Sequence, residues 1–140
     1  MPFARISLLK GKSPEYIRAL SDGVHRALVE AFHVPADDRF QIIHQHEPGE
    51  MVFDRDYLGG PRSDDFVLIH ITAGWRRSTD VKKAFYKCLV ELLADAPGIR
   101  PEDVMVVLNT THPDDWSFSA GVATIFKERT THQGGVAHGG

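Results

Sequence analysis

The sequence predicts an α+β domain made of two tandem β-α-β units, a four-stranded sheet with two helices on one face. Three observations carry this expectation. The 140-residue chain, with 42% hydrophobic and 25% charged residues, has globular composition and one-domain length. Two stretches place apolar residues at helical spacing, each flanked by short strand-like runs. The halves also match one another without a gap. Ile6 falls on Ile71, Lys12 on Arg77, Ser13 on Ser78, Arg18 on Lys83 and Val24 on Leu89. Further on, Leu28 meets Leu93, Val34 meets Ile99 and Asp38 meets Asp103. The repeats cover about residues 2–46 and 66–109, within a single domain expected over residues 1–129.

Phe3–Leu8 alternates as a strand. Ser13 then opens a helix, because its hydroxyl accepts from unpaired backbone N–H groups and Pro14 at the first helical position loses no bond. Ile17, Leu20, Val24, Leu28 and Ala31 form its apolar stripe, and Val34–Asp38 turns the chain into a strand over Phe40–His46. Glu47–Asp65 is a Gly-, Pro- and Asp-rich connection, with a short strand expected near Met51–Phe53. The second unit has a strand over Phe66–Thr72, a cap at Ser78, and a stripe of Val81, Ala84, Phe85, Cys88, Leu89 and Leu92. Pro97-Gly98 ends that helix and Val104–Leu108 is the last main strand. Asn109–Asp115 is turn-like, Val122–Phe126 is expected as a short edge strand, and residues 130–140 as a disordered tail. A helix between paired strands makes each pair parallel, with a right-handed crossover. The uncovered sheet face calls for another copy of the chain, so a homo-oligomer is expected.

Composition excludes several functions. The net charge of -3, without a basic run, argues against nucleic acid as a partner. The apolar stretches are too short to span a membrane and the N-terminus lacks a signal-peptide profile, so a cytoplasmic protein is expected. The single cysteine, Cys88, allows no internal disulfide or Cys-based zinc site and reads as a small buried apolar residue. His44 and His46 share a strand face without a third ligand in sight, so no metal is expected. His25 reads as a helix-surface or interface histidine, and Tyr57 and Arg62 as exposed loop residues.

Pro2 stands apart. A proline in second position permits removal of the initiator Met, which exposes a secondary amine. Neutral, that amine is a general base or a nucleophile; protonated, it is a general acid. Because Pro2 begins a central strand in this reading, the amine is held in the sheet.

The start Met-Pro-Phe-Ala-Arg-Ile, the doubled β-α-β pattern and VPADDRFQII at 34–43 resemble the tautomerase superfamily. RSDDFVLI (62–69), GIRPEDV (98–104) and DWSF (115–118) are similar to the malonate semialdehyde decarboxylase group. The resemblance runs from Pro2 to about Phe126. It implies a homotrimer and cofactor-free, metal-independent chemistry at an amino-terminal proline. The substrate it implies is a small oxo acid or unsaturated acid. Pro2 matches the catalytic proline and Asp38 the acidic residue beside it, although Asp38 also suits a plain helix-to-strand turn and Asp37 lies next door. The group has two arginines after the strand corresponding to Phe66–Thr72, for a substrate carboxylate. Here Gly74 stands where the first is expected and Arg76 matches the second, with Arg77 the match if the loop shifts by one. Trp116 and Phe118 match pocket-wall residues and equally suit packing at an oligomer interface. With Gly74 in place of arginine, tautomerisation or hydration is expected over fast decarboxylation. The rival is a non-catalytic trimeric binding or scaffold protein on the same fold.

Overall fold

The computed structural model describes residues 1–124. Its strands are β1 (Pro2–Leu9), β2 (Gln41–His46), β3 (Val67–Ala73) and β4 (Val104–Thr110). Helix α1 (Pro14–Ala31) joins β1 to β2, and α2 (Thr79–Asp95) joins β3 to β4. The sheet order is β2-β1-β3-β4. Each β-α-β unit pairs its own strands in parallel, whereas β1 and β3 meet antiparallel, from Pro2 opposite Ala73 to Leu8 opposite Val67. This arrangement gathers the beginnings of β1 and β2 and the ends of β3 and β4 at one end of the sheet.

Both helices start at the serines the repeat aligns. Ser13 Oγ accepts from the Tyr16 N–H at 3.1 Å, and Ser78 Oγ from the Val81 N–H at 3.2 Å. Ala4, Ile6 and Leu8 of β1 and Ile69 and Ile71 of β3 are buried against Leu20, Val24 and Leu28 of α1 and Phe85, Leu89 and Leu93 of α2. Ile17, Ala31, Val81, Cys88 and Leu92 flank this core, while Ala84, expected in the stripe, is exposed because it sits beside the buried line. Burial pushes the Cys88 thiol pKa up, helped by Glu30 and Glu91. The opposite sheet face presents Phe3, Arg5 and Ser7 beside Ile42, Met105 and Val107, the last three exposed.

Several expectations are corrected. Met51–Phe53 forms no strand, and the turn after it is held by its own side chains. Asp54 accepts from the Asp56 and Tyr57 amides, each at 2.8 Å, and Arg62 donates to the Asp54 carbonyl at 3.1 Å. Phe53 stacks on Phe66 with centroids 4.3 Å apart. Asn109 and Thr110 extend β4, since Thr72 and Ala73 still offer partners there. Of the expected edge strand, the described part holds an isolated antiparallel bridge between Ser119 and Val122. Residues 125 and 126 and the expected tail at 130–140 lie outside the described residues. Among the described residues no helix is long and apolar enough to cross a membrane, and no group of three potential metal ligands is assembled.

Two packing details generate predictions. An added Cβ at Gly23 would lie 2.7 Å from Leu93 Cδ2, where α1 crosses α2. Alanine gains about 1 kcal/mol of helix propensity, but overpacking against a fully buried leucine costs about 1–3 kcal/mol. Gly23→Ala is therefore expected to lower stability by roughly 1 kcal/mol in denaturant titration, the packing term prevailing. The second detail is Asp103, which is fully buried. It accepts from the Ser63 amide and hydroxyl, each at 2.6 Å, and from Arg100 Nε at 3.3 Å. Burial opposes its ionisation, yet the Ser63 and Arg100 donors outweigh burial and lower its pKa. A lowered folded pKa stabilises the fold above the ordinary carboxylate range and is lost as pH falls through the folded value, so acid should weaken the fold from about pH 4 downward. Asp103→Ala should cost about 1–3 kcal/mol at neutral pH and flatten that acid limb, measured by unfolding across pH.

Candidate active site

Proline tolerates the first position of a strand because it has no N–H to give the ladder. Pro2 is buried there, opposite Ala73. The chain before it is held as well, since the Gly74 N–H donates to the Met1 carbonyl at 2.9 Å. The Met1 ammonium lies 3.4 Å from Asp38 Oδ2. Asp38 stands on the turn between α1 and β2, its N–H donating to the Pro35 carbonyl at 3.0 Å and its side chain only 10% exposed. The 3.4 Å ion pair is longer than a charge-assisted hydrogen bond, and Oδ2 is buried without a hydrogen-bond partner among the described residues. A ring nitrogen of His25 on α1, Nε2, lies 2.9 Å from the Ala36 carbonyl and braces the same turn.

Around this group is a cleft of about 290 Å³, lined by Met1, Pro35, Asp37, Asp38, Phe40, Trp75 and Phe118. Phe118 meets Phe40 edge-on at 5.6 Å. Trp116 stacks behind Phe118 at 5.5 Å and lies outside the lining. Its indole N–H donates to Thr111 Oγ1 at 2.7 Å, and that hydroxyl donates to the Ala73 carbonyl at 2.9 Å. The aromatic wall is thus tied to the end of β3. Phe40 and Trp75 went unread in the sequence as wall residues; Phe40 precedes β2 instead of opening it, which leaves its ring 52% exposed.

The two adjacent arginines separate. In place of the substrate contact expected of it, Arg77 is buried, with Nε and Nη2 donating to the Phe32 carbonyl at 3.2 and 2.9 Å. Nη1 donates to the Trp75 carbonyl at 3.0 Å, and the guanidinium lies 4.2 and 4.8 Å from the Phe32 and Trp75 rings. Phe32 is the C-cap of α1, where the helix dipole favours a cation. Arg77 therefore joins the end of α1 to the loop between β3 and α2. Arg76 is exposed and lines a second, polar cavity of about 450 Å³ with Lys82, Thr110, Thr111, His112 and Pro113. His44 and His46 lie away from both cavities, on the uncovered sheet face, with ring centroids 6.2 Å apart. Tyr57 and Arg62 line an apolar groove with Leu68 and Met105.

Comparison with known proteins bears on this geometry. Two family models, each described as tautomerase enzyme, match residues 2–60 and 38–119. The chain is 37% identical over 127 residues to the probable tautomerase YusQ of Bacillus subtilis (strain 168), covering 91% of this chain and 100% of that one. The probable tautomerase YrdN of the same organism is 35% identical over 123 residues, 88% and 95% of the two chains. A solved malonate semialdehyde decarboxylase is 41% identical with TM-score 0.80, over 86% of this chain and 92% of that one. FG41 malonate semialdehyde decarboxylase inhibited by 3-bromopropiolate is 37% identical with TM-score 0.80, over 86% and 91%. The chain belongs to the tautomerase superfamily. Within it, the chain stands near the malonate semialdehyde decarboxylase group.

The setting of Arg77 makes a prediction. Arg77→Ala leaves the Phe32 and Trp75 carbonyls without their charged donor, and is expected to lower unfolding free energy by about 2–3 kcal/mol. Arg77→Lys should recover only part of this, because an ammonium lacks the planar fork that serves both carbonyls. Thermal and urea unfolding of the two variants measure the difference.

Proposed function

We propose that this chain is an enzyme whose catalytic group is the secondary amine of Pro2, exposed when Met1 is removed, acting on a small oxo acid or unsaturated acid. The observation that carries this reading is the amino terminus held 3.4 Å from the buried Oδ2 of the half-buried Asp38 inside an aromatic cleft. Removal of Met1 moves the amine one residue along a strand that Pro2–Ala73 pairing keeps in place. Asp38 favours the cationic form of that amine and can also position a water. As a cation, Pro2 delivers a proton or polarises a carbonyl, which suits hydration and decarboxylation. Its neutral fraction removes a proton next to a carbonyl, which suits keto–enol tautomerisation. Phe40, Trp75 and Phe118 surround the carbon skeleton with apolar surface, Trp116 supports Phe118, and Arg76 is the carboxylate anchor.

The relatives support the class of chemistry, one being named a decarboxylase with hydratase activity and two being named probable tautomerases. We infer a homotrimer as the working unit. The uncovered sheet face supports it, as does a solved fused 4-OT described as a symmetric trimer, which shares the fold at TM-score 0.71 and 17% identity.

Mass spectrometry of untagged chain before and after 3-bromopropiolate tests this reading. The expected result is a chain lacking Met1 with a covalent adduct on Pro2, absent in Pro2→Ala. Turnover of an accepted oxo acid should fall about 10²–10⁴-fold in Pro2→Ala, the range of general acid–base catalysis. Retained Met1, or a free proline that takes no label, would overturn the proposal in favour of a binding or scaffold protein.

A further inference from the structure

Among the described residues, the polar cavity beside α2 is lined by two cations and no acid. Arg76 and Lys82 line it with Thr110, Thr111, His112 and Pro113. Lys10, Lys12, Arg26, Arg39, Arg55 and Arg100 each form an ion pair with a carboxylate of the chain. Among the described residues no such partner is present for Arg76 or Lys82. Lys82 is half-buried and fixed one turn into α2, its N–H donating to the Ser78 carbonyl at 3.1 Å. Two cations sharing one cavity repel each other unless an anion enters from outside.

The cavity's position matters as much as its charge. Thr110 ends β4 opposite Ala73, and the Thr111 N–H donates to the Ala73 carbonyl at 2.9 Å. Ala73 is in turn the partner of Pro2. The cavity therefore lies at the same sheet end as the amine, two strand spacings or about 10 Å of backbone away. Among the described residues, Gly74 has no side chain to offer a further charge there and Arg77 is committed to the Phe32 and Trp75 carbonyls.

We propose that Lys82 adds a second cation beside the Arg76 carboxylate anchor and is the residue that determines selectivity for acids. This rests on the reading of the chain as an oxo-acid enzyme and names the group that receives the acid end. The hydroxyl of Thr110 and the His112 ring complete a polar lining that suits a carboxylate better than an apolar tail. Lys82 and its neighbour Lys83 are indistinguishable by composition; only Lys82 faces the cavity.

Two measurements test the assignment on the full chain. Malonate binding by calorimetry is expected to weaken about tenfold in Lys82→Ala, the ratio carried by one charged contact, and to be largely restored in Lys82→Arg. Labelling of Pro2 by 3-bromopropiolate should slow by a similar factor in Lys82→Ala, while labelling by its uncharged amide stays at the wild-type rate. Wild-type malonate affinity in Lys82→Ala, no malonate binding to the wild-type chain, or equal slowing with acid and amide would each overturn the subsite. Inorganic phosphate competing as strongly as malonate would overturn the carboxylate assignment in favour of a general oxyanion site. Should the wild-type chain take no label from either reagent, the proline reading fails, and the malonate series still decides the role of Lys82.

Discussion

The antiparallel pairing of β1 with β3 is the constraint on which the remaining structure depends. Each β-α-β unit is internally parallel and has strand beginnings at one end and strand ends at the other. Joining two such units head to tail at β1 and β3 brings the beginning of one to the end of the other. The amino terminus, the Asp38 turn, the loop after β3 and the loop after β4 thereby converge. Ordering a chain terminus costs about 1–2 kcal/mol per residue of backbone freedom. Burial of Ala4, Ile6 and Leu8 behind it opposes that cost and keeps Pro2 from fraying.

The same doubling shows how equivalent positions diverge. Asp38 and Asp103 occupy matching places before the second strand of each unit. At Asp103 the chain arrives from a connection, and Ser63 supplies an amide and a hydroxyl to the carboxylate. At Asp38 the neighbouring group is the Met1 ammonium, and Oδ2 has no hydrogen-bond partner among the described residues. One carboxylate serves the architecture, and the other is the one that the proposed function places beside the amine. Lys12 and Arg77 diverge in the opposite sense: Lys12 pairs with Asp65 and lies over the Tyr16 ring near the surface, whereas Arg77 is sealed between α1 and the β3–α2 loop.

Arg77 also separates the two cavities of the site. By fixing the Trp75 carbonyl and lying against its ring, it orients the residue that walls the aromatic cleft. Its neighbour Arg76 is thereby directed to the polar cavity on the other side of the loop. An apolar compartment beside the amine and a cationic compartment beyond it are the features on which the proposed oxo-acid chemistry rests. Apolar walls strengthen the charges inside them, because water that would screen them is excluded.

Much of this was legible in the residue order. Ser13 and Ser78 mark helix starts because capping is local, and the apolar stripes follow from 3.6-residue periodicity. The repeat made both parallel strand pairs readable, whereas Pro2 and Asp38 were singled out by the family resemblance, since Met-Pro is a common start and Asp38 also suits a plain turn. Sequence could not separate Arg76 from Arg77, or Lys82 from Lys83, since each pair shares one chemistry and differs only in which way it faces. That choice was made by the end of α1, whose Phe32 carbonyl captures Arg77, and by the phase of α2, which turns Lys82 inward. Met51–Phe53 had strand-like residues but joins no strand pair, its Phe53 ring stacking on Phe66 while the following turn bonds to Asp54. Local periodicity and capping thus determined the elements, whereas tertiary packing decided which identical side chains line a cavity and which became scaffold. The reason is that burial and partner geometry are set by distant segments of the chain.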